Sequence, residues 1–164
     1  MKKILFVAMM AIALIACTKS QKTTQKEQPI GEQMLEMLND QDLSLLVYHD
    51  STLTTYRRPG LQDLIHLLTE KPEILDGAIV ADKIVGRAAA SLMIAGKVKE
   101  VYTNRVSTPA RELLEKEGVH IVATEEVPQI LNRDQTGQCP MEASINGAED
   151  IEECVRILQN MVIR

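Results

Sequence analysis

The chain predicts an α/β domain in three αβα layers: a mixed five-stranded sheet, made of a hairpin followed by a parallel βαβαβ unit, with helices packed on it. Three observations predict it. Apolar runs of strand length alternate with segments of helical spacing from Leu43 onward; Gly96 and Gly118 stand where two of those helices stop; and Asp50-Ser51 separates the first two strand-like runs. With 164 residues, 45% hydrophobic and 25% charged, the chain has material for one ordinary core and no more.

The elements follow in order. Apolar side chains at Ile30, Met34, Leu35, Met37 and Leu38 give a helix over 30–39 that stops at Asn39-Asp40. Residues 43–48 are nearly all apolar, as a strand covered on both faces requires, and Asp50-Ser51 turns the chain into a shorter strand over 53–56. After Pro59-Gly60, the spacing of Leu61, Leu64, Ile65 and Leu68 marks a helix that ends before Pro72. A regular series follows: strand 77–82, helix 86–95 with Gly96 just past its end, strand 98–103, helix 109–117 with Gly118 just past its end, and strand 119–123. Right-handed crossovers make these three strands parallel, with helices on both faces of the sheet. The tail carries turn formers over 132–137, a short helix from Pro140, and an amphipathic helix with Ile151, Val155, Leu158 and Val162 on one stripe. There is no internal repeat and no second linker.

The first thirty residues are of another kind. Lys2-Lys3 precedes an unbroken apolar run over 4–16, then Cys17 and the polar Thr18-Lys19-Ser20. That run is too short to span a bilayer as a helix and suits the apolar region of a secretory signal. Leu14-Ile15-Ala16-Cys17 resembles the lipobox of bacterial lipoproteins, whose cysteine is lipidated and becomes the mature N-terminus. The resemblance implies a signal peptide over 1–16, a lipidated Cys17 heading a tether over 17–29, and a domain over 30–164. It also implies a membrane partner, held through the lipid anchor on the extracytoplasmic side of the bacterial cell envelope. The alternative is a plain cleaved signal with an incidental cysteine. Two or more acyl chains hold a protein stably on a bilayer, at about 0.8 kcal/mol per buried CH₂, whereas one is marginal. Lys, Gln, Thr and Ser dominate residues 18–29, which cannot form a core and would reach roughly 20 Å as a random coil.

Composition excludes polynucleotides as partners. Aromatics are 2% of the chain, with Phe6 the single Phe beside Tyr48, Tyr56 and Tyr102, so stacking platforms for bases are missing. From Ile30 onward 13 basic residues face 22 acidic ones, a charge of −9 that phosphate backbones repel. The oligomeric state is not legible.

The segments D-K-I-V-G-R-A-A-A-S-L at 82–92 and N-R-D-Q-T-G-Q-C-P-M-E at 132–142 resemble a bacterial and archaeal family classed only as a domain of unknown function with the cytidine deaminase-like fold. A leading helix, a hairpin and βαβαβ are that fold's layout, and the resemblance covers the chain from about Leu43 to its end. It implies a fold and not deamination. Zinc deaminases of this fold need a His or Cys next to a Glu at the start of one helix and P-C-x-x-C at the next. Here those places read Gly86-Arg87-Ala88-Ala89-Ala90 and Val106-Ser107-Thr108-Pro109-Ala110-Arg111, with neither ligand nor acid. Cys139-Pro140-Met141-Glu142 looks like a P-C-x-x-C relative but comes one unit later, and nothing fixes His49, His66 or His120 as a further ligand. No metal and no cofactor is expected.

In an open α/β sheet, ligands bind beyond the carboxyl ends of the strands, where helix N-termini face the crevice. Asp82, Lys83, Gly86 and Arg87 should gather there, with Arg105, Ser107 and Thr108, and with Asn132, Arg133, Asp134 and Glu142 from the late loop. Each also has a structural reading: Gly86 as a close packing point, Thr108 as an N-cap before Pro109, Asn132-Arg133-Asp134 as an exposed turn. Arg87 and Arg105, read as cations at helix starts, call for an anion nearby, supplied by Asp82, Asp134 or Glu142 or by a ligand. The expectation is a small anionic or nucleotide-like ligand. A thiol-dependent enzyme using Cys139 is the alternative, since a cysteine capping a helix at Pro140 gains thiolate character, with Glu142 placed for a capping box. A third reading pairs Cys139 with Cys154 in a disulfide.

Overall fold

The computed structural model describes residues 28–162. The signal-like run, Cys17 and nearly all of the tether lie outside the described residues. Helix α1 (Ile30–Asp40) leads into the hairpin β1 (Leu45–His49) and β2 (Thr52–Tyr56), then α2 (Gln62–Glu70) and a 3-10 turn at Pro72–Ile74. The βαβαβ unit is β3 (Ile79–Val85), α3 (Arg87–Ala95), β4 (Glu100–Ser107), α4 (Thr108–Lys116) and β5 (His120–Val127); α5 (Pro140–Ser144) and α6 (Ile151–Val162) complete the chain. The five strands form one mixed sheet in the order β2-β1-β3-β4-β5. Strand β1 runs antiparallel to both its neighbours, and β3, β4 and β5 are parallel. Asp50 and Ser51 have φ of 46° and 62°, the two left-handed residues whose twist matches a tight hairpin.

Alternation along the strands divides the apolar residues between two cores. Leu45, Val47, Val80, Val101 and Ile121 face α2, α3, α4 and α6, where Leu64, Leu67, Leu92, Met93, Leu114 and Leu158 are buried. Leu46, Ala81 and Tyr102 face the other way, onto Met34 and Leu38 of α1. Both faces are thus covered, giving three layers, but the two crossover helices share one face. Because β3, β4 and β5 succeed one another in a single direction across the sheet, two right-handed crossovers fall on the same side, and α1 alone serves the opposite one. Helix α1 sits so close that a Cβ on Gly31 would run into the Tyr102 ring.

Several element ends differ from the sequence expectation. Strand β1 begins at Leu45 rather than Leu43. The parallel strands run on past Asp82, Thr103 and Ala123 to Val85, Ser107 and Val127, with Ile84 paired to Arg105 and Arg105 to Glu125. Polar residues at Asp82-Lys83, Asn104-Arg105 and Glu125-Glu126 interrupt the apolar signal while the hydrogen-bonded ladder continues, and Val85, Val106 and Ser107 beyond them are buried. Ser107 therefore caps α4, accepting the Ala110 N–H at 3.3 Å, and Thr108 is the first residue of the helix. Arg105 lies inside a strand and not at a helix start. Past α3, Gly96 keeps φ at −77° and Lys97 takes the left-handed turn at 59°; Gly118 does take it after α4, at 77°.

Candidate functional site

The carboxyl ends of β3, β4 and β5 lie along one edge, and the antiparallel pairing brings the start of β1 and the end of β2 to the same edge. Leu45 is the partner of Asp82 across the β1–β3 ladder, so Ser44 and the Gly60-Leu61 segment stand beside the end of β3. Residues 128–139 fold back over this edge as a small hairpin. Leu131 bridges Gln138, the Asn132 N–H donates to Gly137 at 2.8 Å, and the Cys139 N–H donates to the Ile130 carbonyl at 2.9 Å. The amides of Gln138 and Asn146 bond each other reciprocally at 3.2 and 3.0 Å, tying the hairpin to the chain beyond α5. The loop that carries Cys139 thus reaches the strand ends.

Two neighbouring cavities open under the hairpin. One of about 320 Å³ is walled by Ser44, Leu61, Asp82, Cys139, Met141 and Glu142; one of about 650 Å³ lies between Arg105, Glu125 and the 127–135 segment. They share Ile84, Ile130, Leu131 and Arg133. Ile84 and Leu131 are 45% and 42% exposed, so the saddle between the cavities is apolar and open. The smaller volume is at the lower end, and the larger near the middle, of the range of pockets that take small molecules.

Glu142 joins the late loop to the sheet. Its Oε2 accepts the Arg87 N–H at 3.0 Å and its Oε1 accepts the Ala88 N–H at 2.9 Å, two of the four donors that a helix start leaves without an intrahelical partner. A carboxylate at that position also meets the positive end of the helix dipole. A Cβ on Gly86 would fall on the Glu142 carboxylate, so the glycine is required by this contact rather than by its backbone angles. Arg87 completes the exchange by donating its Nη2 to the carbonyl of Ile145, at the end of α5. Glu142 therefore caps a helix 55 positions upstream instead of closing a capping box on Cys139. The start of α3 does not fit a zinc centre: Gly86, Arg87 and Ala88 bring no ligand, and both oxygens of the nearest carboxylate are engaged by backbone N–H. Among the described residues no three His, Cys, Asp or Glu side chains converge as a metal set, and no helix is long and apolar enough to cross a membrane.

The remaining candidates separate into those that line the cavities and those that do not. Arg105 is bound to Glu125 at 2.8 Å across the β4–β5 ladder, on the wall of the larger cavity. Lys83 reaches Asp42 at 3.4 Å. Asn132 lines the larger cavity but spends its amide inside the hairpin, accepting the Thr136 N–H at 2.9 Å and donating to the Thr136 hydroxyl at 3.1 Å. Ser107 and Thr108 are not brought in: Ser107 caps α4 and Thr108 donates to Glu126 at 2.8 Å. Asp134 sits exposed on the outer side of the hairpin. Arg133 lines both cavities, is exposed, and has no ion pair among the described residues. Cys139 and Cys154 are free thiols on opposite sides of the α3 start, Cys139 on the smaller cavity and Cys154 buried on α6 beside a different one. The disulfide that their spacing permits is not formed.

Asp82 is the least compensated polar group of the crevice. By alternation it points away from Ala81 and α1, toward the α2–α3 side. Its Oδ1 accepts the Ile84 N–H at 3.1 Å, and it has no side-chain partner among the described residues. Burial pushes its carboxyl up to about 7, against which the backbone N–H of Ile84 and the charge of Lys83 act only in part. On the same wall the Ser44 hydroxyl is shielded from solvent and has no partner. Sequence reasoning passed over Ser44, Ile84 and Leu131. The one available signal was a hydroxyl interrupting the apolar Leu43–Leu46 run.

Two expectations follow. Glu142→Ala should cost about 2–3 kcal/mol, and Gly86→Ala should cost much less in that background than in the wild type, because the carboxylate it collides with is gone. Strictly additive unfolding free energies would contradict the contact. Second, unfolded Asp82 titrates near 3.8 and folded Asp82 at about 7. Between these values only the folded protein holds the proton, so its stability falls as pH rises from about 4 to 7, by up to about 1.4 kcal/mol per unit, and levels off above. Denaturant melts of Asp82→Asn should lack this component and show a variant more stable than wild type above pH 7; equal slopes in the two proteins would contradict the assignment.

A sequence model of a family described as a domain of unknown function, DUF1893, matches residues 33–162. The crystal structure of a DUF1893 family protein (TM1506) from Thermotoga maritima is similar, with 30% sequence identity and a TM-score of 0.71 over 79% of this chain and 88% of that one. No curated protein matches. A family match over residues 33–162 and a solved relative covered over 88% of its length at 30% identity together place the chain in the DUF1893 family.

Proposed function

We propose that this protein is a lipoprotein, anchored through Cys17 on the extracytoplasmic side of a bacterial membrane, whose domain binds a small polar ligand in the crevice under the 130–139 hairpin. The arrangement of elements supports a cytidine deaminase-like variant of the fold, without zinc chemistry. One observation carries the binding reading: a carboxyl and a hydroxyl, Asp82 and Ser44, line an accessible cavity with no side-chain partner for either among the described residues. Uncompensated polar groups at a cavity wall are what a ligand's own polar atoms satisfy. An anionic group on that ligand would meet Arg133, since Arg87 and Arg105 are engaged by Ile145 and Glu125 and the α3 start is filled by Glu142. A thiol-dependent enzyme is the second reading. It is favoured by Cys139 opening on the same cavity as Asp82, a carboxyl able to exchange a proton near neutrality.

A thermal-shift screen of the purified protein in mild detergent tests the binding reading, with nucleotides, sugar phosphates and small carboxylates as candidates. At a hundred times its dissociation constant a ligand adds about 2.7 kcal/mol. The stabilisation should be kept by Cys139→Ser and weakened by Arg133→Ala; turnover lost in Cys139→Ser would favour the enzyme instead. For the anchor, Cys17→Ser should move the protein from the membrane fraction to the soluble one and abolish fatty-acid labelling. Retention of the label in that variant would overturn lipidation at Cys17.

A further inference from the structure

Two carboxyl groups, Asp82 and Glu142, and two cations, Lys83 and Arg133, line the smaller cavity. Glu142 is committed to the α3 start, where its two oxygens accept two backbone N–H groups. Neither cation is paired with Asp82. Lys83 extends to the exposed Asp42, and Arg133 stands at the outer lip that the two cavities share. From the segment before α2, Arg58 is closed on Asp63, and the hairpin contributes Ile130, Leu131, Arg133 and Cys139. Ser44 adds a hydroxyl free to accept a hydrogen bond, and Leu61, Ala88, Ala89 and Met141 make the rest of the wall apolar. Asp82 feels the charge of Lys83 but has no ion-pair partner among the described residues, because Lys83 is closed on Asp42.

From this we infer that the group entering the inner end is a protonated amine, seated between the Asp82 carboxylate and the Ser44 hydroxyl, with its carbon chain on the Ile84–Leu131 saddle and any acidic end at Arg133. The inference rests on the crevice being a ligand site and adds the charge of what it takes. Burial holds a proton on the empty Asp82 near neutral pH, so an ammonium has to displace it. Amine binding should then release a proton and tighten as pH rises from about 5.5 to 7.5, levelling off above.

A matched four-carbon series tests this on the full-length protein in detergent: butylamine, butanoate, 4-aminobutanoate and butanol, followed by thermal shift and by calorimetry in buffers of different ionisation enthalpy. Butylamine and 4-aminobutanoate should stabilise with the stated pH dependence and measurable proton release, and butanoate and butanol much less. Asp82→Asn, which removes the ionisable carboxyl and should fold at least as well, should bind amines about tenfold or more weakly and lose the pH dependence. Ser44→Ala should weaken amines more modestly, and Arg133→Ala should remove only the advantage of 4-aminobutanoate over butylamine. Stabilisation by butanoate that exceeds butylamine and survives Asp82→Asn would overturn the amine assignment while leaving a ligand site. No response to any member of the series, or to the wider screen, would overturn both.

Discussion

A single carboxylate joins the late loop and α5 to the start of α3. Glu142 gives both oxygens to the first N–H groups of α3, and Arg87, from that same helix start, returns a hydrogen bond to the end of α5. The two contacts run in opposite senses between the same pair of elements, so each fixes the orientation the other needs. The 130–139 hairpin is attached on the α5 side through Cys139 and the Gln138–Asn146 amide pair. The crevice roof is therefore positioned by the interaction that also fills the helix start, the usual anchor for an anion in an open α/β sheet. The groups left facing the crevice are Asp82, Ser44, Arg133, the Cys139 thiol and an apolar saddle.

Much of the fold was legible because it is carried by local signals. The alternation that sends Val80 and Ala81 to opposite cores, the Asp50-Ser51 turn and the left-handed Gly118 each depend on residues within a few positions of one another. The strand ends were not legible. Arg105 and Glu125 belong to the sheet because they pair with each other across it, and polarity alone reads them as loop. Lys97 taking the left-handed turn beside an available glycine shows the same limit, since the backbone path from α3 into β4 decides which residue turns.

The site divides in the same way. That Arg87 demands an anion follows from its place at a helix start, and Glu142 was among the residues able to supply it. That it does so depends on a contact across 55 positions, which no local pattern encodes. The capping-box spacing around Cys139 and Glu142 was real as a pattern and unused as a contact, because the stronger partner for Glu142 lay on another helix. Ser44 left only a hydroxyl in an apolar run as its signal and the Ile84–Leu131 saddle left none, because these are a small residue and ordinary apolar ones that only the fold brings together at the strand ends.

Amide hydrogen exchange at Arg87 and Ala88 tests the central contact most directly. The first N–H groups of a helix exchange quickly unless something outside the helix accepts them. Strong protection at both, with an opening free energy shared by the Cys139 N–H of the hairpin, is the result expected if Glu142 clamps the late loop onto α3. Rapid exchange at Arg87 and Ala88 while the interior of α3 stays protected would contradict it, and would leave that helix start open to a ligand.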